Sequence, residues 1–358
     1  MSSRTPRHVH KGRGASFSPD NRYSAYPRED IDDGWDNLEL PVEAPATTLT
    51  IDTSRTVISY NDSPDVGFDR SINPYRGCEY GCVYCFARPT HAWLGLSPGL
   101  DFETKLFYKT DAPEQLKHEL AARTYRCAPI AVGINTDAYL PTERKLGLTR
   151  AILEVLVAAQ HPFSIVTKSA LIERDIDLIA TAAARHHAEV AVSLTTLDAA
   201  LARRMEPRAA SPARRLETIR ALSQACIPVT VLVAPLIPVL TDSELETLLE
   251  QARGAGAQEA GYVLLRLPHE LKDMFSDWLA QHEPLKAAHV MNRLRNCRGG
   301  EDYDARFGTR MRGTGIYAEL LRKLFKLAYQ RLGYSDTPAL DCTQFTAPDE
   351  GQLRLFYT

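Results

Sequence analysis

The sequence lacks a long apolar run and lacks a strong excess of charge of either sign. Its 358 residues are 44% hydrophobic and 24% charged, and the formal net charge is −3. No stretch approaches the roughly 20 apolar residues of a transmembrane helix, so no membrane association is expected. The small net charge excludes a global basic field, and any nucleic-acid binding would rely on local patches. The composition is that of an ordinary globular protein.

The chain also lacks the even number of cysteines and the N-terminal apolar stretch that are typical of small secreted proteins. It has seven cysteines, of which three are closely spaced. The other four are scattered singly: Cys127, Cys226, Cys297 and Cys342. Cysteines in this arrangement suit a reducing compartment, and we therefore expect a cytoplasmic protein.

The three closely spaced cysteines are the strongest signal in the chain. Cys78, Cys82 and Cys85 form a CxxxCxxC pattern. A closed zinc site needs four ligands, usually with a second Cys/His pair downstream, and the nearest candidate, His91, fits no zinc-finger spacing. Three thiolates on one loop suit a cubane iron–sulfur cluster with one iron left open. Zinc or unligated thiols are the alternatives.

Aromatic residues flank the last of these cysteines. Tyr84 precedes Cys85 and Phe86 follows it, and the motif resembles that of the radical S-adenosylmethionine (SAM) superfamily. The resemblance implies a 4Fe-4S cluster whose open iron binds SAM. Reductive cleavage of SAM would then give a 5′-deoxyadenosyl radical that takes hydrogen from a substrate. The cofactor carries such chemistry, while the protein supplies position and electrostatics.

Apolar β-rich segments alternate with helical patterns along the chain. Strands are predicted at residues 71–77, 130–134, 163–167, 190–194, 229–233 and 262–267. Helices are predicted at 114–123, 148–159, 171–184, 214–225, 243–255 and 316–332, with two more within 269–296. This alternation predicts an α/β fold with right-handed crossovers, a parallel sheet and a site at the strands' carboxyl ends. It matches the partial (β/α)6 TIM-type barrel of radical SAM enzymes.

The patterns divide the chain into four parts. Residues 1–60 are expected to be a polar N-terminal extension, and the resemblance implies that residues 61–268 form the radical SAM core barrel. Residues 269–335 form a C-terminal helical segment, and residues 336–358 form a tail.

A longer set of matching pieces favours one branch of the superfamily. Residues 73–91 resemble the spore-photoproduct-lyase-like branch, often labelled DNA-repair-photolyase-like, and specifically an uncharacterised bacterial radical SAM group. Shorter matching pieces follow in the same order at 97–105, 135–143, 167–169, 206–207 and 266–268. The resemblance implies that SAM is contacted by Tyr84, Phe86, Lys168, Ser193 and the backbone of Ala234.

Two features depart from the branch. The usual Gly-Gly-Glu run after the second strand is replaced by residues 133–137, so Asp137 is the candidate partner of the SAM amino group. The lyase's hydrogen-donor cysteine near the end of that strand has no counterpart between residues 128 and 140. We expect a radical reaction on an unidentified substrate, with a nucleic-acid lesion as the leading candidate, but not thymine-dimer repair by the same mechanism.

Other enzymes and other classes of protein remain as alternatives. A radical SAM enzyme acting on a protein or a small molecule is one, and a zinc-bound nucleic-acid-binding module without turnover is the other. Candidates for the substrate-facing side chains are Tyr139, Glu143, Glu206, Arg266 and Tyr303. A radical SAM enzyme would also need an electron donor, such as a reductase or a flavodoxin-type protein.

Local features suggest two macromolecular partners. Arginines are concentrated at residues 203–220 and 293–312, where they can meet phosphates, although acidic residues dilute both stretches. The C-terminal segment Gln352–Phe356 resembles the Gln-Leu-x-Leu-Phe peptide by which bacterial replication and repair proteins bind the sliding clamp. Such a peptide would bury its last apolar side chains in a pocket of the clamp.

Overall fold

The computed structural model describes residues 12–24 and 46–348. In chain order its strands are β1 (Thr48–Ile51), β2 (Ile58–Tyr60), β3 (Arg70–Ile72), β4 (Tyr75–Arg76), β5 (Lys105–Tyr108), β6 (Ile130–Val132), β7 (Phe163–Thr167), β8 (Ala188–Ser193), β9 (Val229–Leu236) and β10 (Glu259–Leu264). The helices are α1 (Leu100–Thr104), α2 (Ala112–Ala121), α3 (Glu143–Leu146), α4 (Leu148–Ala158), α5 (Ile176–Ala183), α6 (Ala199–Met205), α7 (Pro212–Gln224), α8 (Leu245–Gly254), α9 (Leu271–His282), α10 (Ala287–Asn296) and α11 (Gly315–Arg331).

Seven strands form the main sheet, in the order β10-β9-β8-β7-β6-β3-β2. The six strands from β3 to β10 in this sheet are all parallel, and β2 pairs antiparallel with β3 at the edge. Because parallel strands need crossover connections, helices fill the sequence between them. The predicted partial (β/α)6 barrel is confirmed, and it is open between β10 and β2.

The predicted first strand is divided between two sheets. Residues 70–72 pair with β6 in the barrel, whereas residues 75–76 pair with β5 in a second sheet of order β1-β5-β4. Pro74 separates them, and proline has no amide hydrogen to continue a ladder. The break turns the chain away from the barrel before Cys78, so the strand does not run directly into the cysteines.

The N-terminal region is more structured than its polar composition suggests. The described part of residues 1–60 contains β1 and β2, and β2 belongs to the main sheet. The amides of Val57 and Ile58 both donate to the Glu119 carboxylate on α2, at 2.5 and 3.1 Å. This edge is therefore fastened to the barrel by a carboxylate that sequence periodicity does not identify.

The predicted helices are present, with one change of type. Residues 170–175 form a 3-10 turn before α5, where a single helix over 171–184 is predicted. The Ser169 hydroxyl accepts from the Leu171 amide at 3.2 Å, which starts this turn. Gly333 has a φ of 68° just after α11, as expected for a glycine that ends a helix. In the part of the chain that the structure describes, no helix is long and apolar enough to cross a bilayer.

Apolar side chains form two cores. One lies between the barrel strands and the outer helices, where strands such as β9 alternate fully and partly buried residues. The second covers the carboxyl end of the barrel and includes Cys78 and Cys82 together with Phe275 and Trp278 from α9. The helical segment after β10 therefore packs on the cysteine region as well as on the barrel.

A C-terminal strap, residues 335–346, crosses the opposite end of the barrel. Three backbone amides of the strap donate hydrogen bonds to the barrel. The Ser335 amide donates to the carbonyl of residue 258 at 3.1 Å. The amides of Asp341 and Thr346 donate to the carbonyls of residues 186 and 159, each at 2.9 Å. These carbonyls precede β10, β8 and β7, so the strap covers the amino ends of the strands. The predicted clamp peptide, Gln352–Phe356, lies outside the described residues and remains a prediction.

We expect acid to destabilise this end of the barrel through His161. Its Nε2 lies 2.7 Å from the Tyr125 hydroxyl, and burial lowers its pKa to about 4. An unfolded histidine titrates near pH 6.5, so between these values the unfolded state binds more protons and stability falls as pH falls. Going from pH 7 to pH 5 should cost about 2 kcal/mol of unfolding free energy.

Urea unfolding at pH 7, 6 and 5 tests this expectation. His161→Gln should reduce the loss of stability between pH 7 and pH 5 by about 2 kcal/mol, while the buried His91 still contributes to the pH dependence. His289→Gln, at an exposed position, should leave the pH dependence as in the wild type. Equal pH dependence in all three proteins would contradict the assignment to His161.

Candidate functional site

The three predicted cysteine ligands lie on one loop at the carboxyl end of the barrel. This cysteine loop, residues 77–88, follows β4. The Cys78 amide donates to the Phe102 carbonyl at 2.9 Å, and the Val83 amide donates to the Met205 carbonyl at 3.0 Å. The loop is therefore held by α1 on one side and by the end of α6 on the other.

Two of the three thiols are shielded from water. Cys78 and Cys82 are buried, and Cys85 is partly exposed. Burial raises the pKa of Cys78 and of Cys82. The neighbouring cysteines raise the pKa of Cys78 further, and the Glu206 carboxylate raises that of Cys82 further. Among the described residues, no three His, Cys, Asp or Glu side chains already converge as they would around an ion. The donor set of three thiols on one loop fits an iron–sulfur cluster, provided that the thiols draw together on binding.

A buried ion pair fixes the backbone of the cysteine loop. Arg88 and Glu103 are both fully buried, and Arg88 Nη2 lies 2.5 Å from Glu103 Oε1. Arg88 Nε also donates to the Cys82 carbonyl at 2.8 Å, and its Nη1 donates to the carbonyls of residues 98 and 99. All three nitrogens of the Arg88 guanidinium thus have hydrogen-bond partners, as a buried charge requires.

The Glu103 carboxylate also holds an N-terminal segment against the cysteine loop. Glu103 accepts from the Gly14 amide at 3.0 Å and from the Ala15 amide at 2.9 Å. A Cβ atom at Gly14 would collide with the carbonyl oxygen of Gly81, so this close approach requires glycine. The segment around Gly14 therefore lies directly over the cysteine loop.

His91 is a packing residue rather than a fourth metal ligand. It is fully buried, and its Nε2 lies 3.0 Å from the Lys105 carbonyl. Its ring meets Phe102 edge-on, with the ring centres 5.0 Å apart. Burial lowers its pKa to about 4, so the ring is neutral at physiological pH.

A buried polar network anchors Tyr84. Its hydroxyl donates to the Glu206 carboxylate, which also accepts from Thr195 Oγ1 at 3.0 Å. Glu206 forms a buried ion pair with Arg215, and Arg215 Nη1 donates to the Ser193 carbonyl at 3.1 Å. The network connects the cysteine loop to the carboxyl end of β8 and uses Glu206 as a support, not as a residue that faces a substrate.

Lys168 follows β7 and faces Tyr84, with its Nζ 5.9 Å from the centre of the ring. The Lys168 amide donates to Asp137 Oδ2 at 2.7 Å, and Asp137 Oδ1 accepts from the Thr167 hydroxyl at 2.8 Å and from the Tyr139 amide at 2.9 Å. Burial raises the pKa of Asp137. Three of the roughly four acceptor positions of this carboxylate are filled by the chain, which leaves one for a ligand.

Ser193 and Ala234 also lie at this end of the barrel. Ser193 is the last residue of β8 and is buried. Ala234 lies within β9 and not after it, because β9 continues to Leu236. The Ala234 carbonyl accepts from Thr195 Oγ1 at 3.4 Å. The SAM contacts predicted for these residues remain predictions.

Phe86 points away from the Tyr84 network, toward the end of the last barrel strand. It is 42% exposed, and the Arg266 guanidinium lies 5.6 Å from its ring centre. Arg266 Nη2 donates to the Tyr303 hydroxyl at 3.3 Å, whereas its buried Nε has no hydrogen-bond partner among the described residues. No carboxylate of the described chain forms an ion pair with Arg266. The loops of the first and last barrel strands meet here, across the open side of the barrel.

Residues 72–252, about half of the chain, match the Radical SAM superfamily. The chain belongs to this superfamily. A relative, an uncharacterized protein of Mycobacterium tuberculosis, is 41% identical over 219 residues, which cover 61% of this chain and 64% of that protein. An uncharacterized protein of Methanocaldococcus jannaschii is 29% identical over 174 residues, covering 48% of this chain and 62% of its own length. The similarity thus spans less than two thirds of these relatives.

Solved structures show the same fold. Spore photoproduct lyase complexed with dinucleoside spore photoproduct has a TM-score of 0.56 and 17% identity, with 80% of each chain covered. A point mutant of spore photoproduct lyase has a TM-score of 0.56 and 18% identity, with the same coverage. At this identity the likeness concerns the fold, and it agrees with the partial barrel seen in this radical SAM protein.

Two of the predicted substrate-facing residues are part of the interior instead. Tyr139 and Glu143 are fully buried. Glu143 accepts from the Tyr75 hydroxyl, from the Thr149 amide at 3.1 Å and from Arg174 Nη2 at 2.8 Å. Glu143 thus serves the interior of this radical SAM barrel, and Glu206 supports Tyr84. Of the five candidates, the substrate-facing role stays a prediction for Arg266 and Tyr303.

The two arginine stretches are largely occupied by partners within the chain. In the first, Arg204, Arg208, Arg214 and Arg215 pair with acidic side chains. In the second, the occupied side chains are Arg293, Arg295, Arg298, Arg306, Arg310 and Arg312. These partners weaken the prediction that either stretch is a free phosphate-binding surface.

Sequence reasoning missed Glu103, Thr195 and the role of Arg88. Glu103 and Arg88 both lie in segments that match the family, at 97–105 and 73–91, so the signal for Glu103 was present. Their partnership was not visible, because an ion pair across 15 positions has no periodic signature. Thr195 lies two residues after the end of β8 and belongs to no sequence motif that would have identified it.

We expect Glu103→Gln to loosen the cysteine loop of this radical SAM protein. The change leaves Arg88 buried without a counter-charge, which should cost about 3–5 kcal/mol of unfolding free energy. Urea unfolding measures the loss, and the iron bound per chain after anaerobic reconstitution should fall as well.

Glu246→Gln is the matched control, because Glu246 forms an exposed ion pair with Arg331. It should cost less than about 1 kcal/mol and leave iron content unchanged. Equal losses for the two variants would contradict the special role of the buried pair.

Proposed function

We propose that this protein is a radical SAM enzyme in which Cys78, Cys82 and Cys85 hold a 4Fe-4S cluster. The observation that carries the proposal is the placement of three thiols on one loop, held by backbone hydrogen bonds at the carboxyl ends of the barrel strands. A cluster with bound SAM supplies an electron and a 5′-deoxyadenosyl radical that takes hydrogen from a substrate. No fourth protein ligand is needed, since SAM would bind the open iron.

The chain's own residues position and shield these groups. Arg88 and Glu103 hold the cysteine loop, and Gly14 covers it from outside. Lys168 supplies a positive charge beside Tyr84, where it can pair with the carboxylate of SAM. The apolar core around Cys78 and Cys82 excludes water and strengthens electrostatic interactions within the site.

The substrate class is inferred from the surface beside Phe86. An exposed aromatic ring, a partly exposed guanidinium without a carboxylate partner among the described residues and a phenol together favour a substrate with a planar face and an anionic group. Aromatic rings and arginine commonly stack on bases, and arginine pairs with phosphate. A nucleotide within a nucleic acid combines both features, so we propose a nucleic-acid lesion as the substrate. The fold it shares with spore photoproduct lyase supports this choice.

A protein or small-molecule substrate is the second candidate. The ion pairs within the arginine stretches favour it, because they leave little free positive charge to bind a long nucleic-acid backbone. In either case the reaction requires an electron donor, which we propose to be a reductase or a flavodoxin-type protein.

Metal and SAM analysis tests the cofactor. Anaerobically reconstituted protein should contain iron and sulfide, give a 4Fe-4S signal in electron paramagnetic resonance that SAM perturbs, and form 5′-deoxyadenosine under reduction. Cys82→Ala should lose all of these properties, whereas Cys226→Ser, at an exposed cysteine outside the loop, should retain them. Protein that contains zinc but no iron would contradict the assignment as a radical SAM enzyme and favour a zinc-bound nucleic-acid-binding module.

Substitution of Arg266 tests whether the substrate carries an anionic group. Deuterated lesion-containing oligonucleotides, peptides and nucleotides are offered in parallel, and transfer of deuterium into 5′-deoxyadenosine identifies the substrate class. Arg266→Gln should raise the substrate KM about 10- to 100-fold, more than it lowers kcat, because it removes a charged hydrogen-bond donor.

Arg306→Gln is the matched control for loss of charge, since Arg306 is exposed and pairs with Asp304. It should leave KM within about twofold of the wild type. An unchanged KM in Arg266→Gln would remove Arg266 from the substrate site, and deuterium transfer only from peptides would replace the nucleic-acid assignment.

A further inference from the structure

Two of the singly scattered cysteines meet at the amino end of the barrel, far from the cysteine loop. Cys127 precedes β6, and Cys342 lies on the C-terminal strap. The two thiols lie near enough to interact, since the Cys342 thiol raises the pKa of Cys127. Both are free and partly exposed, so a small reagent can reach them.

Ring contacts independently hold the two segments together. The ring centres of Phe345 and Tyr125 are 5.6 Å apart. Phe345 lies three residues after Cys342, and Tyr125 lies two residues before Cys127. The Phe345 ring also meets His161 edge-on at 5.3 Å. The position of the thiols is therefore fixed by aromatic packing as well as by the backbone hydrogen bonds of the strap.

The two sulfurs can act in sequence on an external disulfide. Burial and the nearby Cys342 raise the pKa of Cys127 to about 12, so its thiol is protonated at neutral pH. One sulfur attacks the external disulfide, and the other resolves the mixed disulfide. A resolving thiol next to an attacking one is the usual arrangement of reversible redox pairs.

We propose that Cys127 and Cys342 are a redox-active dithiol that closes reversibly to a disulfide and fastens the C-terminal strap to the barrel. The oxidant is a low-molecular-weight disulfide such as oxidised glutathione. One S–S bond forms between Cys342 and Cys127, the S–S bond of the oxidant breaks, and the two electrons and two protons of the dithiol leave as two molecules of reduced thiol. In a reducing compartment the pair responds to redox state and is not a permanent crosslink.

The disulfide changes how easily the strap opens. In the reduced protein, the strap is held by backbone hydrogen bonds and the Phe345 ring, and such peripheral segments open locally. The covalent bond joins residues 215 positions apart and removes that opening.

The test uses the full-length, anaerobically reconstituted protein, desalted and equilibrated with defined ratios of oxidised to reduced glutathione. Trypsin peptide mapping should find peptides 127–144 and 332–354 joined by a disulfide, which reduction reverses. Cleavage by chymotrypsin at Phe345 should be slower by about tenfold in the oxidised protein. Cys127→Ser and Cys342→Ser should each abolish both effects, and Cys226→Ser should abolish neither.

Several results would overturn the proposal. Separate glutathione adducts on the two cysteines without the joined peptides would exclude the redox pair. Joined peptides with unchanged cleavage at Phe345 would exclude the fastening of the strap. Zinc retained by the wild type but lost in both serine variants would replace the dithiol by a metal site.

Discussion

The buried ion pair between Arg88 and Glu103 is the constraint on which the candidate site depends. A charge removed from water must be paired and fully hydrogen-bonded, or its desolvation opposes folding. Here the guanidinium satisfies this requirement by bonding to the backbone of the cysteine loop and of the segment before α1. The carboxylate does so by accepting from the amides at Gly14 and Ala15. One pair thereby joins the cysteine loop, the segment before α1 and the distant segment at Gly14.

The carboxyl end of the barrel is built as a second core, and this placement explains the chemistry of the loop. Cys78 and Cys82 are packed among side chains from α6, α9 and α10 rather than exposed in a surface turn. Burial disfavours the thiolate, so a positively charged metal centre is the natural counterpart of these sulfurs. The polar groups nearby are satisfied by one another, as in the network of Tyr84, Glu206 and Arg215. Arg266 is only partly buried and has no carboxylate partner among the described residues, which distinguishes it from the buried Arg88 and Arg215.

The two ends of the barrel have different tasks. The carboxyl end gathers the cysteine loop, Lys168 and Asp137, because parallel strands bring the loops after them to one edge. The amino end is closed by the C-terminal strap, whose hydrogen bonds run to the residues before β7, β8 and β10. A redox-responsive contact at this end can change the strap without disturbing the site, since the sheet separates the two.

The sequence by itself determined the family motif, the six parallel strands and most of the helices. These features are local, since spacing, alternation and helical periodicity are written in consecutive residues. Only the tertiary structure decided that Phe86 turns to Arg266, that Tyr139 and Glu143 are interior, and that Pro74 divides the first strand between two sheets. It also brought Cys127 to Cys342 and Arg88 to Glu103. Contacts between positions far apart depend on how the whole chain packs, and no local pattern encodes them.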